Sequence, residues 1–129
     1  MWTTALWVAL GSAIGGAGRF WCSGFLARHV GETFPWGTLL VNVAGSLLIG
    51  LFATVTAVEG RLLVPGVARQ FFMLGVFGGF TTFSSFSLQT LNLVHDGEWL
   101  RAGTYIAGSV LLCLMGVWLG HALGVAINR

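Results

Sequence analysis

The chain has 129 residues, and only 8% of them are charged: six Lys or Arg and four Asp or Glu. Soluble domains carry roughly 25% charged residues, whereas here 56% of the chain is hydrophobic and the mean hydropathy is +0.87. A globule of this size cannot hide so much apolar surface, and a net charge of +2 from scattered residues is no basic face, so an ordinary soluble enzyme, a disordered tail and a nucleic-acid-binding domain are excluded.

Charged residues divide the chain into four apolar stretches. Residues 1–18 are uncharged, and the apolar character runs past Arg19 to residue 27. No basic segment and no small-residue cleavage site precede Arg19, so this stretch reads as a retained membrane helix rather than a cleaved signal. Residues 33–58 and 70–94 are uncharged, and residues 102–128 hold only His121. Each stretch meets the roughly 20 residues needed to cross the hydrocarbon core. Pro35 and Pro65 fall where helices begin, a position that tolerates proline. Trp2, Trp36 and Trp99 lie near span ends, as an aromatic belt would place them. The sequence thus predicts an all-α membrane protein of four transmembrane helices, one unit over residues 1–129, with no soluble domain.

The third span is too long for one straight crossing. Residues 65–94 would make a rod of roughly 45 Å at 1.5 Å per residue. Its middle reads Gly78-Gly79-Phe80-Thr81-Thr82, a poor helix interior. Irregular backbone at membrane depth survives only where protein or a polar cavity covers it. The third helix is therefore expected to be broken mid-membrane, in two halves joined near residues 78–81, with free backbone groups that make a plausible ion site. Small residues recur at four-residue spacing: Gly11 and Gly15, Ser46 and Gly50, and Gly116, Gly120 and Gly124. Such spacings let helices touch backbone to backbone in lipid.

All six basic residues are arginine, and they divide evenly between the two sides of a four-span chain. Arg61, Arg69 and Arg129 share one side. Arg28 and Arg101 share the other with Arg19, in the last turns of the first span. The positive-inside rule gives no orientation. One reading is a weak signal in a small protein; the other is insertion both ways, with pairing to an inverted copy.

No acidic residue lies mid-span: Glu32, Glu59, Asp96 and Glu98 are all at span ends. That argues against a pump or cation exchanger built on a buried carboxylate. The remaining interior polar groups are neutral donors. Asn42 lies about two turns into the second span, with Thr38 one turn before it. Thr81, Thr82, Ser84, Ser85 and Ser87 follow the break. Tyr105, Ser109 and Cys113 share one face of the fourth helix. A donor-lined cavity without carboxylates suits an anion, because N–H and O–H groups replace its water; Arg19 could add positive potential at an entrance. Phe83 and Phe86 share a face, and their ring edges are positive. Each feature has a plainer explanation in helix packing or interhelical hydrogen bonding. Cys22 and Cys113 lie in apolar stretches and read as small membrane-embedded hydrophobes.

Three stretches carry a resemblance to the Fluc (CrcB-like) fluoride-channel family: residues 15–20 (GGAGRF), residues 37–45 (GTLLVNVAG) and residues 78–87 (GGFTTFSSFS). The third is the most specific, and the resemblance covers essentially the whole chain. It implies passive export of fluoride that protects a cell from fluoride toxicity, through an antiparallel, dual-topology homodimer in a bacterial inner membrane. Each of its two pores would be built from both subunits. The resemblance matches Asn42, Phe83, Phe86, Tyr105, Ser109 and Cys113 to the pore, and Arg19 to its vestibule. Thr38, Thr82 and Ser85 join this set as neighbouring hydroxyls. It matches the backbone carbonyls of Gly78 and Thr81 to a structural sodium ion at the dimer dyad. Two departures stand out. Cys113 occupies a track position usually held by a hydroxyl, and Gln89 replaces a glutamate that many relatives carry. The reading from another class is a small dual-topology transporter of another small ion or an organic cation. Such exporters depend on a first-span carboxylate, which this chain lacks. A third is a packing subunit that conducts nothing. No nucleophile–base pair or metal-ligand set points to an enzyme.

Overall fold

The computed structural model describes residues 1–129, all helices and connections without a strand. The long helices are α1 (Trp2–Val30), α2 (Trp36–Val55) and α6 (Trp99–Asn128). Between α2 and α6 the chain forms α3 (Gly66–Gln70), a π-helical segment (Phe71–Phe77), α4 (Gly78–Phe80) and α5 (Phe83–His95).

Helix ends follow local chemistry. Pro35 and Pro65 precede the first residues of α2 and α3, where a missing N–H leaves nothing unsatisfied. Past the end of α5, Gly97 adopts φ +75. Its N–H donates to Val94 O and the Glu98 N–H to Leu93 O, the paired bonds of a Schellman stop. The chain then turns at once into α6.

Three stretches are long and apolar enough to cross a membrane: Trp36–Val55, Gly66–His95 and Trp99–Asn128. The first stretch, expected to be a fourth span, forms the 29-residue α1 but is not among them. Its polar share, with Arg19, Arg28 and His29 on the helix, dilutes its hydropathy. Only 17 of 129 residues are buried, and Leu6, Trp21, Leu111 and Trp118 stand exposed. So much outward apolar surface defines a multi-pass membrane protein, since lipid or another apolar surface must cover it.

Two seams hold the helices together. Along α2 and α6, a Cβ on Gly120 would collide with Leu47 O, and one on Gly50 with Val117 O. Along α1, a Cβ on Gly15 would collide with Val76 O, and one on Gly79 would lie 2.7 Å from Ser12 O. Both seams need hydrogen at these positions for the backbones to meet. The second seam fixes the π-helical segment and α4 on α1, and so fixes where the third stretch stops being helical.

The candidate ion-pathway site

The sequence places the junction of the third stretch at residues 78–81. In the structure Gly78 and Gly79 are helical, and the extended residues are Thr81 (φ −88, ψ 157) and Thr82 (φ −152, ψ 119). The glycines serve packing instead, with Gly79 against α1. The β-branched threonines accept extended backbone readily, and each anchors one side of the junction. Thr81 closes α4: its N–H and its hydroxyl both donate to Phe77 O, at 3.1 and 3.0 Å. Thr82 caps α5: its Oγ1 accepts from the Ser85 N–H at 3.1 Å, the arrangement that satisfies an orphan amide at a helix start.

Asn42 clamps the junction from α2. Its Nδ2 donates to Thr82 O at 2.9 Å, and its Oδ1 accepts from the Thr82 N–H at 2.7 Å. Both backbone groups of one non-helical residue are thereby satisfied by one amide, which carries one donor end and one acceptor end. Arg19 satisfies another orphan: its Nε donates to Gly79 O at 3.2 Å. The Thr82 hydroxyl also bonds the Ser85 hydroxyl at 3.2 Å and lies 3.3 Å from that of Ser84.

Two cavities meet at Thr82. The smaller, about 280 Å³, is lined by Asn42, Thr81, Phe83, Phe86, Ser109 and Cys113 among others, and no charged residue faces it. The larger, about 860 Å³, opens among Arg19, Thr38, Ser85 and Gln89, with Glu32, Asp96, Glu98 and Arg101 at its rim. Thr82 lines both. Arg101 pairs with Glu98 at 3.5 Å, with both side chains half-exposed.

The aromatic groups stand at the boundary. The Phe83 and Phe86 rings are 5.4 Å apart, and Phe86 lies 5.0 Å from the Tyr105 ring. Tyr105 faces neither cavity: it is completely buried, and its hydroxyl donates to Gln89 Oε1 at 2.7 Å. The face expected for Tyr105, Ser109 and Cys113 is therefore divided: the latter two reach the smaller cavity and Tyr105 supports Phe86 from behind. The Ser109 Oγ is buried without any hydrogen-bond partner. Phe83, by contrast, is 78% exposed. Gly78 lies away from both cavities. The role of Gln89 as the partner of Tyr105 was not legible from spacing, because the two are on different helices.

An uncharged cavity with amide and hydroxyl groups on a largely apolar wall, sharing Thr82 with a larger cavity that Arg19 lines and set among apolar helices, has the make-up of a membrane ion pathway. The family model described as "CrcB-like protein, Camphor Resistance (CrcB)" matches residues 6–121, and the chain belongs to that family. A protein of Opitutus terrae called "Fluoride-specific ion channel FluC" is 63% identical over 123 residues, 95% of this chain and 93% of the relative. A protein of the same designation from Paramagnetospirillum magneticum is 62% identical over the whole of both chains. A third, from Methylocella silvestris, is 60% identical over 96% of this chain and 95% of its own.

Proposed function

We propose that this chain is a subunit of a fluoride-selective channel that lets fluoride leave a cell passively, from a bacterial inner membrane. The observation that carries the reading is the small cavity beside the Asn42–Thr82 clamp: hydroxyl and amide groups stand among aromatic and aliphatic ones on its wall, and no charge does. Fluoride is a hard anion that holds water strongly. The second N–H of Asn42 Nδ2 and the unpaired hydroxyl of Ser109 can replace that water in turn, and the positive edges of Phe83 and Phe86 add weak attraction without trapping. The N-terminus of the 13-residue α5 opens beside the same place, where the helix dipole favours negative charge. Arg19 adds positive potential at the mouth. The names of the relatives supply the step from small anion to fluoride. The reaction class is transport, and the family is that of an ion channel, not an enzyme.

The channel is read as an antiparallel homodimer of four-span subunits, each with its third span broken at Thr81–Thr82. Two features support this. The arginines divide evenly between the two sides of a four-span chain. Phe83 lines the small cavity yet is 78% exposed, so one chain alone does not enclose the pathway. A sodium ion at the dyad would be held by the carbonyls of Gly78 and Thr81. Both are hard oxygen donors, and neither accepts a hydrogen bond, whereas Gly79 O and Thr82 O are taken by Arg19 and Asn42. Such an ion would supply positive charge and pin the two breaks together.

The test is efflux from liposomes holding the purified protein, read with a fluoride electrode. Fluoride release without matching chloride release is expected; equal release of both anions, or of neither, refutes the proposal. Cysteines introduced at exposed faces separate the dimer arrangements, since linkage only between parallel pairs removes the inverted dimer.

A further inference from the structure

One side of α5 lines the larger cavity along its whole length. Ser85, Gln89, Asn92 and Asp96 follow one another at spacings of four, three and four residues, so they stand in a single row, one per helical turn. All four line that cavity, and Thr82 lines it at the inner end of the row. From the junction to the rim the row is roughly 21 Å long at 1.5 Å per residue. Hydrogen bonds within the chain fix which atoms the row offers. Gln89 Oε1 accepts the Tyr105 hydroxyl at 2.7 Å, so the other end of the amide, Nε2 with its two N–H groups, is left for the cavity. Ser85 Oγ accepts from the Thr82 hydroxyl at 3.2 Å, which leaves its own proton uncommitted. The Asn92 side chain is exposed on the cavity wall and bonds to nothing else in the chain.

We infer that Gln89 and Asn92 are anion-contact residues of the larger cavity. Their amide N–H groups take a small, strongly hydrated anion from the rim and pass it, one helical turn at a time, to the Ser85 hydroxyl and the junction. The inference rests on the channel reading and extends it outward from the small cavity. The charge around the row shows why donors are needed there. Three carboxylates and two arginines leave the lining of the larger cavity with a net formal charge of −1, so long-range attraction does not by itself draw an anion in. Close-range N–H and O–H donors then have to replace its water, and neutral amides do so without holding the ion as a fixed cation would. Of the two amide oxygens, Gln89 Oε1 is already taken by Tyr105, so the row offers an incoming cation less than it offers an anion.

Gln89→Glu keeps the acceptor that Tyr105 needs and replaces the two N–H groups by an oxygen. Asn92→Asp makes the same exchange at an exposed position, where substitution disturbs folding little. Efflux from liposomes is read with a fluoride electrode at low and high ionic strength. At low ionic strength each variant should be slower than the unsubstituted protein by about fivefold, the effect of one unit charge about 4 Å from the ion in water. The loss should shrink in high salt. Asn92→Ala removes the donor without adding charge, and should raise the fluoride concentration for half-maximal efflux more than it lowers the maximal rate. Unsubstituted efflux in both carboxylate variants, a loss that salt does not relieve, or faster efflux in Asn92→Asp overturns the inference. Slowing in Gln89→Glu alone overturns the role of Asn92. In detergent, the purified protein should broaden the fluorine resonance of sodium fluoride, and the Gln89→Glu/Asn92→Asp variant should broaden it less; equal broadening overturns the inference too. If unsubstituted liposomes release no fluoride, the channel reading fails, and the resonance measurement still decides whether the row meets the anion.

Discussion

Replacing Asn42 separates two roles that its position combines. In Asn42→Ala both bonds to Thr82, 2.9 and 2.7 Å long, are lost together. The freed N–H and C=O sit at the junction between two helical segments, where no neighbouring turn can recover them. A fully buried group left unmet costs about 1–3 kcal/mol; these two are half-buried beside open cavities, so the pair destabilises the native junction by about 2 kcal/mol, the low end of that range for two groups. At 1.4 kcal/mol per factor of ten, the equilibrium constant favouring the native junction falls by about thirtyfold. Asn42→Asp tests the other role. Its carboxylate still accepts from the Thr82 N–H, but an oxygen now faces Thr82 O where a donor stood. The added negative charge also repels an anion about 4 Å away by about 4 kcal/mol at an effective dielectric of 20, near a thousandfold in rate. Efflux measured with a fluoride electrode should therefore fall in both variants, and further in Asn42→Asp. Efflux at the unsubstituted rate in Asn42→Asp would remove Asn42 from the anion's path. The same outcome in Asn42→Ala would refute the clamp.

Three further substitutions probe separate parts of the design. Ser109→Ala deletes a buried hydroxyl that has no partner, so thermal stability in detergent should hold or rise by about 1 kcal/mol while efflux falls; a loss of stability would mean the hydroxyl serves packing. Gly15→Ala forces a methyl into Val76 O, whereas Gly16 has open space. Gel filtration should show Gly15→Ala poorly folded, destabilised by about 1–3 kcal/mol, and Gly16→Ala unaffected; equal behaviour would refute the α1 seam. Arg19→Met removes the bond to Gly79 O and the charge at the mouth. Efflux should drop by about threefold or more at low ionic strength, with a smaller drop in high salt; a salt-independent loss would mean that only the hydrogen bond matters.

Much of this architecture was legible because membrane helices write their constraints into single residues. Scarce charge marks the apolar stretches, prolines mark the starts of α2 and α3, and four-residue glycine spacing marks both seams. The polar set around Asn42 could be gathered in advance because neutral donors stand out in an apolar chain. What escaped was partnership across helices. The Gly-Gly pair followed by Thr-Thr pointed to a junction near residues 78–81; Thr81 is extended there, but Gly78 and Gly79 are helical, because Gly79 is needed against Ser12 of α1 and tertiary packing outweighs intrinsic preference. The break passes to Thr81 and Thr82, which tolerate extended backbone and are held from outside by Asn42. Helical spacing correctly aligned Tyr105, Ser109 and Cys113, but a shared face does not make a shared environment. Phe34 and Phe86 cover Tyr105, and Gln89 takes its hydroxyl, while one turn on Ser109 has no partner at all. That difference assigns them different work. A hydroxyl whose bond is already made can only hold Phe86 and Gln89 in place; one whose bond is open is free for whatever enters the cavity.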